Sequence, residues 1–114
     1  MSLAKSDSVP ITANVELADT LPKQVMGLMF RKSFNGALVF DMGCLTHDGI
    51  HMLFVRFPID VVFLDAEKKI VDVKANVRPW IGTAFPRARF WYIIELPAGA
   101  IEKFSLKTGE RLVW

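Results

Sequence analysis

The stretch IDVVFLDAEKKIVDVKANV, residues 59–77, decides the fold class of this chain. Two apolar runs flank the polar tetrad AEKK, and this connection has the length that β-hairpins prefer. In the first run both the odd and the even positions are apolar, which is typical of a strand buried on both faces. The sequence therefore predicts a β-hairpin whose first strand lies inside the core.

Further strands are predicted on both sides of this hairpin, because apolar, β-branched and aromatic runs recur between turn residues. These runs cover residues 9–18, 37–41, 90–96 and 108–114. A second short helix, begun by Pro97, is predicted between the last two runs. About seven strands that do not alternate with helices favour a mainly β fold, an antiparallel β-sandwich or barrel, over a doubly wound parallel sheet.

One segment has the helical period. Its apolar positions follow the spacing i, i+4, i+7, i+8 and are Leu21, Val25, Leu28 and Met29. Thr20 suits the N-cap and Pro22 the first turn, where its missing N–H costs nothing. The sequence thus predicts one amphipathic helix flanking the sheet, with Arg31 at its end.

Length and composition bound the possible classes of protein. The chain has 114 residues, of which 52% are hydrophobic, so it can form one globular domain, expected over residues 9–114 after a polar, disordered tail at 1–8. Without a signal-peptide pattern or an apolar run of about 20 residues, no membrane association and a cytoplasmic location are expected. The one cysteine excludes an intrachain disulfide, and a net charge of +2 is a weak argument for polyanionic partners.

The two histidines of the chain, His47 and His51, lie in LTHDGIHMLF, residues 45–54. On a helix this spacing could share a zinc ion, but on a strand, at roughly 3.3 Å per residue, it separates the residues by roughly 13 Å. Three features favour a strand. The segment contains a glycine, it has apolar residues at alternate positions, and it lacks the acidic third ligand of a zinc-binding H-E-x-x-H helix. We therefore expect no metal site here.

Two carboxylates and one guanidinium interrupt otherwise apolar elements: Asp60, Glu95 and Arg31. Buried charges need partners, so they indicate either a buried ion-pair network or the floor of a polar pocket. In the second case they could bind a ligand, or the two carboxylates could act as an acid/base pair. These alternatives remain open at the level of sequence.

Arginines and aromatic residues alternate in VRPWIGTAFPRARFWY, residues 77–92. The arginines are Arg78, Arg87 and Arg89, and Trp80 is central among the aromatic residues. Such a segment can bind single-stranded nucleic acid or form an interface with a protein or a sugar. Equally, Trp80 can pack the loop onto the domain while the arginines stay solvated.

Three blocks of the sequence, VELADTLPKQVMGLMFRKSF, HMLFVRFPIDVVFLDAEKKIVDV and YIIELPAGAIEKFSLKTGERL, make the chain resemble the domain of unknown function 192 family. The resemblance implies a single mainly β domain with a jelly-roll-like sandwich and a flanking helix. Many family members have Phe-Trp-Met-Lys-Asn at residues 50–54, where this chain keeps only Met52. His51 therefore stands where relatives carry an aromatic residue, and it becomes a candidate for tuning a cleft.

Together these features favour a binding module for a small polar ligand or a protein partner over an enzyme. The expected ligand-binding residues are Arg31, His51, Asp60, Trp80 and Glu95. The alternatives are a hydrolase that uses Asp60 and Glu95, or a weak single-stranded nucleic-acid binder that uses residues 78–92. Nucleotide-binding and nucleophile-elbow motifs are missing from the sequence. No cofactor is expected.

Overall fold

The computed structural model describes residues 2–18, 33–47, 50–51 and 55–114, with the backbone alone for residues 50–51. Its elements in chain order are β1 (Leu3–Lys5), β2 (Pro10–Thr12), β3 (Val15–Ala18), β4 (Ala37–Thr46), β5 (Ile50–His51), β6 (Ile59–Leu64), β7 (Ile70–Val77), β8 (Thr83–Ala84), β9 (Phe90–Pro97), α1 (Ala100–Lys103) and β10 (Leu112–Val113). The helix predicted over residues 20–31, including Arg31, lies outside the described residues.

A five-stranded sheet forms the centre of the molecule, in the order β3-β4-β9-β6-β7. The hairpin predicted from residues 59–77 is confirmed as β6 and β7, with Val62 opposite Val73. β6 also pairs with β9, so it lies between two strands. It is buried along its whole length, as the apolar residues at both its odd and its even positions predict. β3 pairs with β4 in parallel, which makes this sheet mixed rather than purely antiparallel.

Alternating side chains of the central strands build two separate cores, one on each face of the sheet. The front core takes Val61 and Phe63 from β6 and packs the Phe63 ring edge-on against Phe90, with 5.0 Å between ring centroids. The back core takes Val62 and Leu64 from the same strand. Each face therefore needs a cover of its own.

The back core is covered by the three-stranded sheet β10-β1-β2 and by α1. Leu3 of β1 and Leu112 of β10 are fully buried against the central strands, and Ala100 brings α1 onto the same face. Two packed sheets make this half of the molecule a sandwich. The short helix predicted after Pro97 is confirmed, although Pro97 ends β9 and the helix begins at Ala100.

The front core is covered in part by the segment 78–89 together with the two-stranded sheet β5-β8. Ala84 of β8 and Val55 are buried in the front core. The backbone N–H of Trp80 donates to the Val55 carbonyl at 3.2 Å, which fastens the start of the segment to the residues before β6. The segment 78–89 is thus an ordered layer over the front core.

Two sequence-based predictions near the start of the chain differ from the structure. Residues 9–18 form two strands in different sheets, β2 and β3, because the chain turns at Asn14, whose backbone N–H donates to Thr12 Oγ1. Within the expected disordered tail 1–8, Leu3–Lys5 is a strand paired with β10. This segment is ordered by one buried leucine and by its pairing with neighbouring strands. Three residues are too few to show a periodic pattern in the sequence.

The mainly β prediction is confirmed, with a sandwich rather than a closed barrel, since β3 and β7 are both edges of the central sheet within the described part of the chain. The parallel β3–β4 pair was not predicted, and the jelly-roll-like connectivity stays a prediction. No helix among the residues described has the length and apolar character required to cross a membrane.

Candidate functional site

Asp60 is 1% exposed, and both of its carboxylate oxygens accept hydrogen bonds from backbone N–H groups. Oδ1 accepts from Asn76 at 2.8 Å, and Oδ2 accepts from Gly99 at 3.1 Å and from Ile101 at 2.9 Å. The donors belong to the end of β7 and to the first turn of α1. Asp60 therefore joins three elements that are far apart in the sequence.

Local backbone conformation makes this arrangement possible. Asn76 has φ +52° and Gly99 has φ +98°, both in the left-handed region that Asn and Gly tolerate best. The register between β6 and β7 also shifts between Ile59 and Val61, which displaces the pairing at Asp60. The sequence predicts that the Asp60 carboxylate needs a partner, and the structure shows that this partner is a set of backbone N–H groups. Ionic hydrogen bonds of this kind stabilise a buried charge without a counter-ion.

Glu95 is also buried, at 6% exposure, but it faces the opposite side of the sheet. Its register partner is Val61 of the front core, whereas the partner of Asp60 is Leu96 of the back core. Directly paired residues place their side chains on the same face, so the two carboxylates are separated by the sheet itself. This contradicts the hydrolase alternative, which requires both carboxylates to face one cavity.

The histidine segment is interrupted instead of being one strand. β4 ends at Thr46, His47 is exposed, and β5 contains His51, whose backbone pairs with Thr83 of β8. Among the described residues no cluster of three or more His, Cys, Asp or Glu side chains could hold a metal ion. His51 thus stands, by its backbone, in the layer over the front core, near the Trp80 loop.

Trp80 lies at the centre of a tight three-residue turn. The Ile81 N–H donates to the Pro79 carbonyl at 2.8 Å, and Trp80 between them has φ +67°. This is a γ-turn with a positive φ, a geometry that is rare and strained for a bulky residue. Gly82 closes the loop by donating to the Arg78 carbonyl at 3.0 Å.

The same loop exposes large apolar side chains. Trp80 is 48% exposed, Ile81 78% and Phe85 64%. Arg78, Arg87 and Arg89 of the same segment are also exposed, and the sequence has no acidic residue between Val73 and Ile94. We call these six side chains the arginine–aromatic surface: Arg78, Trp80, Ile81, Phe85, Arg87 and Arg89.

Asp72 is a buried carboxylate that sequence reasoning did not single out. Its Oδ2 accepts from the Arg87 backbone N–H at 2.9 Å and lies 3.4 Å from the Lys74 ammonium, and its Oδ1 accepts from the Val73 N–H at 2.9 Å. Asp72 thus fastens the second half of the arginine–aromatic surface to β7. A charge in the middle of the apolar run IVDV is the signal that could have identified it.

Tyr92 lies on the back face, with its ring edge-on to Trp114 at 5.0 Å between centroids. Burial raises the pKa of the Tyr92 hydroxyl above its ordinary 10.0, and the negative charge of Asp41 raises it further. Both effects disfavour the tyrosinate. The residue is therefore a neutral packing element at physiological pH.

A family model covers residues 2–114 of the chain, almost its whole length, and its family is DUF192, described as Uncharacterized ACR. The chain belongs to the DUF192 family. The resemblance inferred from the three sequence blocks is thereby confirmed.

Relatives of this DUF192 chain from Thermococcus and Pyrococcus species are named UPF0127 proteins. One from Thermococcus sibiricus is 37% identical over the whole chain, which covers 74% of that protein. One from Pyrococcus furiosus is 39% identical over 91% of the chain and 89% of that protein. One from Pyrococcus horikoshii is 36% identical over the whole chain and 98% of that protein.

Two solved structures share the fold of this DUF192 domain. A protein of unknown function from Novosphingobium aromaticivorans DSM 12444 matches with a TM-score of 0.87 at 20% identity, over 99% of this chain and 82% of that one. A putative transcription regulator from Sinorhizobium meliloti 1021 matches with a TM-score of 0.87 at 24% identity, over 98% of this chain and 89% of that one. At these identities the likeness shows the fold alone.

Within this DUF192 domain, the expected site residues do not form one cluster. Trp80 and Glu95 lie on the front side, and the β5 backbone brings His51 there as well. Asp60 lies on the back side, and Arg31 is outside the described residues. Of the expected site residues that the structure describes, Trp80, Glu95 and the backbone of His51 therefore share the front side, and Asp60 does not.

Proposed function

We propose that this domain is a binding module that engages an acidic segment of a protein partner through the arginine–aromatic surface. The observation that carries the proposal is the strained turn at Trp80, in a segment that exposes Trp80, Ile81 and Phe85. A backbone held in an unfavourable conformation, with large apolar side chains exposed by it, is typical of functional loops.

Rigidity of the surface supports this proposal. The Trp80 N–H donates to the Val55 carbonyl, and the Gly82 N–H donates to the Arg78 carbonyl. The Asp72 carboxylate accepts from the Arg87 backbone N–H. A preformed surface loses little conformational entropy when a partner binds. Tryptophan and arginine are also the residues that most often dominate the energetics of interfaces.

The charges of the arginine–aromatic surface support an acidic partner. Three arginine side chains with no acidic residue between Val73 and Ile94 produce a local positive field, although the net charge of the chain is only +2. An extended peptide with Asp or Glu flanking an aliphatic or aromatic residue matches this pattern. The apolar residue would pack on Trp80 and Phe85, and the carboxylates would pair with Arg87 and Arg89.

The test is selection of peptides from a random display library on the immobilised domain, followed by calorimetry of the selected peptides. We expect peptides rich in acidic and apolar residues. Trp80→Ala should weaken their binding roughly 30-fold, equivalent to about 2 kcal/mol, because a central anchor is lost. Val113→Ala removes an exposed apolar side chain on β10 and should leave the Kd unchanged.

Two charge-reversal variants provide a second test of the proposal. The double variant Arg87→Glu and Arg89→Glu should abolish binding, whereas the matched reversal of the exposed Lys107 and Arg111, near β10, should not. Selected peptides that bind Trp80→Ala and the double variant as well as they bind the wild type would contradict the proposal.

A second candidate is single-stranded nucleic acid, since exposed aromatic rings beside three arginines can stack bases and contact phosphates. An oligothymidylate titrated at several salt concentrations tests it. If nucleic acid is the ligand, replacing Arg87 and Arg89 by alanine should flatten the dependence of log Kd on log salt concentration. An unchanged slope, or no binding at low salt, would leave the acidic peptide as the better candidate.

A further inference from the structure

A groove with a volume of about 370 Å³ lies on the back side of the molecule, at the end of β9. It is bordered by β2, by the turn before β4, by the turn between β9 and α1, and by α1 itself. Its lining residues are Ile11, Thr12, Asn35, Gly36, residues 96–100, Lys103 and Phe104. The central sheet separates it from the arginine–aromatic surface, so a ligand of the groove and a partner of that surface would bind independently.

One wall of the groove is fixed by a close contact between two turns. Asn14 donates from Nδ2 to the Asn35 carbonyl at 2.7 Å, and its own carbonyl accepts from the Ala37 N–H at 2.9 Å. A Cβ at Gly36 would lie 2.5 Å from that Asn14 carbonyl, so only glycine allows this approach. The wall formed by Asn35 and Gly36 is therefore rigid before any ligand binds.

The opposite wall is fixed by Asp60. Its carboxylate holds the N–H groups of Gly99 and Ile101, which places the turn 97–99 and the start of α1. The groove is thus anchored on both sides by specific hydrogen bonds. Sites for small molecules are usually preformed in this way.

The lining combines an apolar floor with a small number of polar groups. Leu96 and Ala100 are buried at the floor, and Ile11 and Phe104 are half-buried at its sides. Apolar surface around a few convergent polar groups is the usual composition of a ligand site. The volume lies near the lower end of the range for such sites, about 300–1,000 Å³, so the ligand must be small.

The polar groups at the rim favour an anion. The Lys103 ammonium lies 5.3 Å from the centroid of the Phe104 ring and forms no ion pair with any described residue. Thr12 Oγ1 accepts from the Asn14 N–H at 3.1 Å, which leaves its hydroxyl hydrogen to donate. None of the described residues that line the groove is acidic.

We propose that this groove binds a small carboxylic acid with an aliphatic body. The carboxylate pairs with Lys103 and accepts from the Thr12 hydroxyl, and the hydrocarbon chain lies against Ile11, Leu96 and Phe104. A carboxylate is favoured because the lining contains a cation and a hydroxyl donor, no acidic side chain, and the apolar surface of Ile11, Leu96 and Phe104.

Titration with sodium hexanoate, followed by amide chemical shifts of the ¹⁵N-labelled domain, tests the proposal. We expect saturable shifts concentrated at Thr12, Gly36 and Gly99. Hexanol has the same body without the carboxylate, and hexylamine reverses the charge, so both should bind at least tenfold more weakly, the factor that about 1.4 kcal/mol of ionic hydrogen bonding produces. Shifts that do not saturate, or that lie elsewhere, would overturn the proposal.

Two variants separate the site from general charge effects. Lys103→Glu should weaken hexanoate binding at least tenfold, by the same ionic contribution, whereas the exposed Lys107→Glu, outside the groove, should change it less than twofold. Ala98→Trp, at an exposed position of the lining, should fill the groove and abolish binding while the melting temperature stays unchanged. Equal losses for the two lysine variants, or full binding by Ala98→Trp, would disprove the assignment.

Discussion

Asp60 and Glu95 lie on the adjacent strands β6 and β9, one register position apart, and their side chains point to opposite faces of the central sheet. Each carboxylate therefore belongs to a different half of the molecule. Asp60 fixes the turn at β7 and the start of α1 through three backbone amides, whereas Glu95 lies in the front core between β4 and β6. The two acids must be tested separately.

We expect Asp60→Ala to lower the free energy of unfolding by about 3 kcal/mol, because three backbone N–H donors lose their buried ionic acceptor. Urea denaturation followed by fluorescence measures this change. Asp7→Ala, at an exposed aspartate whose carboxylate accepts from Val9 nearby in the chain, serves as the control and should cost less than about 1 kcal/mol. Similar stabilities of the two variants would show that Asp60 does not anchor the fold.

Gly82→Ala should destabilise the arginine–aromatic surface. A Cβ at residue 82 would lie 2.3 Å from the Arg78 carbonyl oxygen, so the loop must open, and we expect a loss of about 1–3 kcal/mol. Amide exchange should accelerate at Trp80 and Ile81 while β6 stays protected. Gly43→Ala, where a Cβ meets nothing within 4 Å, carries only the cost of a left-handed φ and should leave exchange in this loop unchanged. Unchanged exchange in the loop of Gly82→Ala would contradict the expected opening.

Tyr92 should ionise above pH 10 in the folded protein, because burial, and then the charge of Asp41, raise its pKa from 10.0. The folded state then holds this proton more tightly than the unfolded state. Its contribution to stability is complete below the unfolded pKa and is lost as the pH rises through the folded pKa. Tyr92 is the only tyrosine, so tyrosinate absorbance reports it alone.

The control for this titration is the same chain in denaturant, where the midpoint should return to about 10. Asp41→Asn removes the smaller of the two causes and should lower the folded midpoint in part. Tyr92→Phe should flatten the decline of stability at alkaline pH. A folded midpoint at or below that of the denatured chain would refute the assignment.

Lys68 should stabilise the packing of Trp114. Its ammonium lies 4.1 Å from the centroid of the indole ring and donates to the Trp114 carbonyl at 3.1 Å. We expect Lys68→Met to cost about 1 kcal/mol in thermal or urea unfolding, since a cation–π contact at a partly exposed site has this size. Lys69→Met, on the exposed neighbour in the same hairpin loop, should cost less, and an equal loss would count against the contact.

The sequence was most informative where local pattern decides structure. The hairpin of β6 and β7 follows from alternating apolar runs around a short polar loop, and the strand β9 from a single apolar run. Residues 9–18 have an alternating pattern that predicts one strand, whereas a turn at Asn14 sends the two halves to different sheets. Sheet membership depends on distant partners, which no local pattern contains.

The candidate sites show the same limit. Asp60 was correctly identified as a carboxylate that needs a partner, and its partners are the backbone amides of Asn76, Gly99 and Ile101. Because almost every residue has a backbone N–H, the sequence does not show which of them will donate. The groove beside α1 was not predicted, since its lining comes from four separate segments. Only the arginine–aromatic surface, which is contiguous in the chain, was visible as a unit.

The pairing of β1 with β10 has a consequence for how the chain folds. Ala4 pairs with Val113, so this ladder closes a loop of nearly the whole chain, and loop-closure entropy makes such contacts late events. We expect the β6–β7 hairpin to form early and the back core to stay open to water until β1 and β10 meet. Refolding should accordingly take milliseconds to seconds, and partly folded molecules should expose Leu3 and Leu112 to aggregation in that interval.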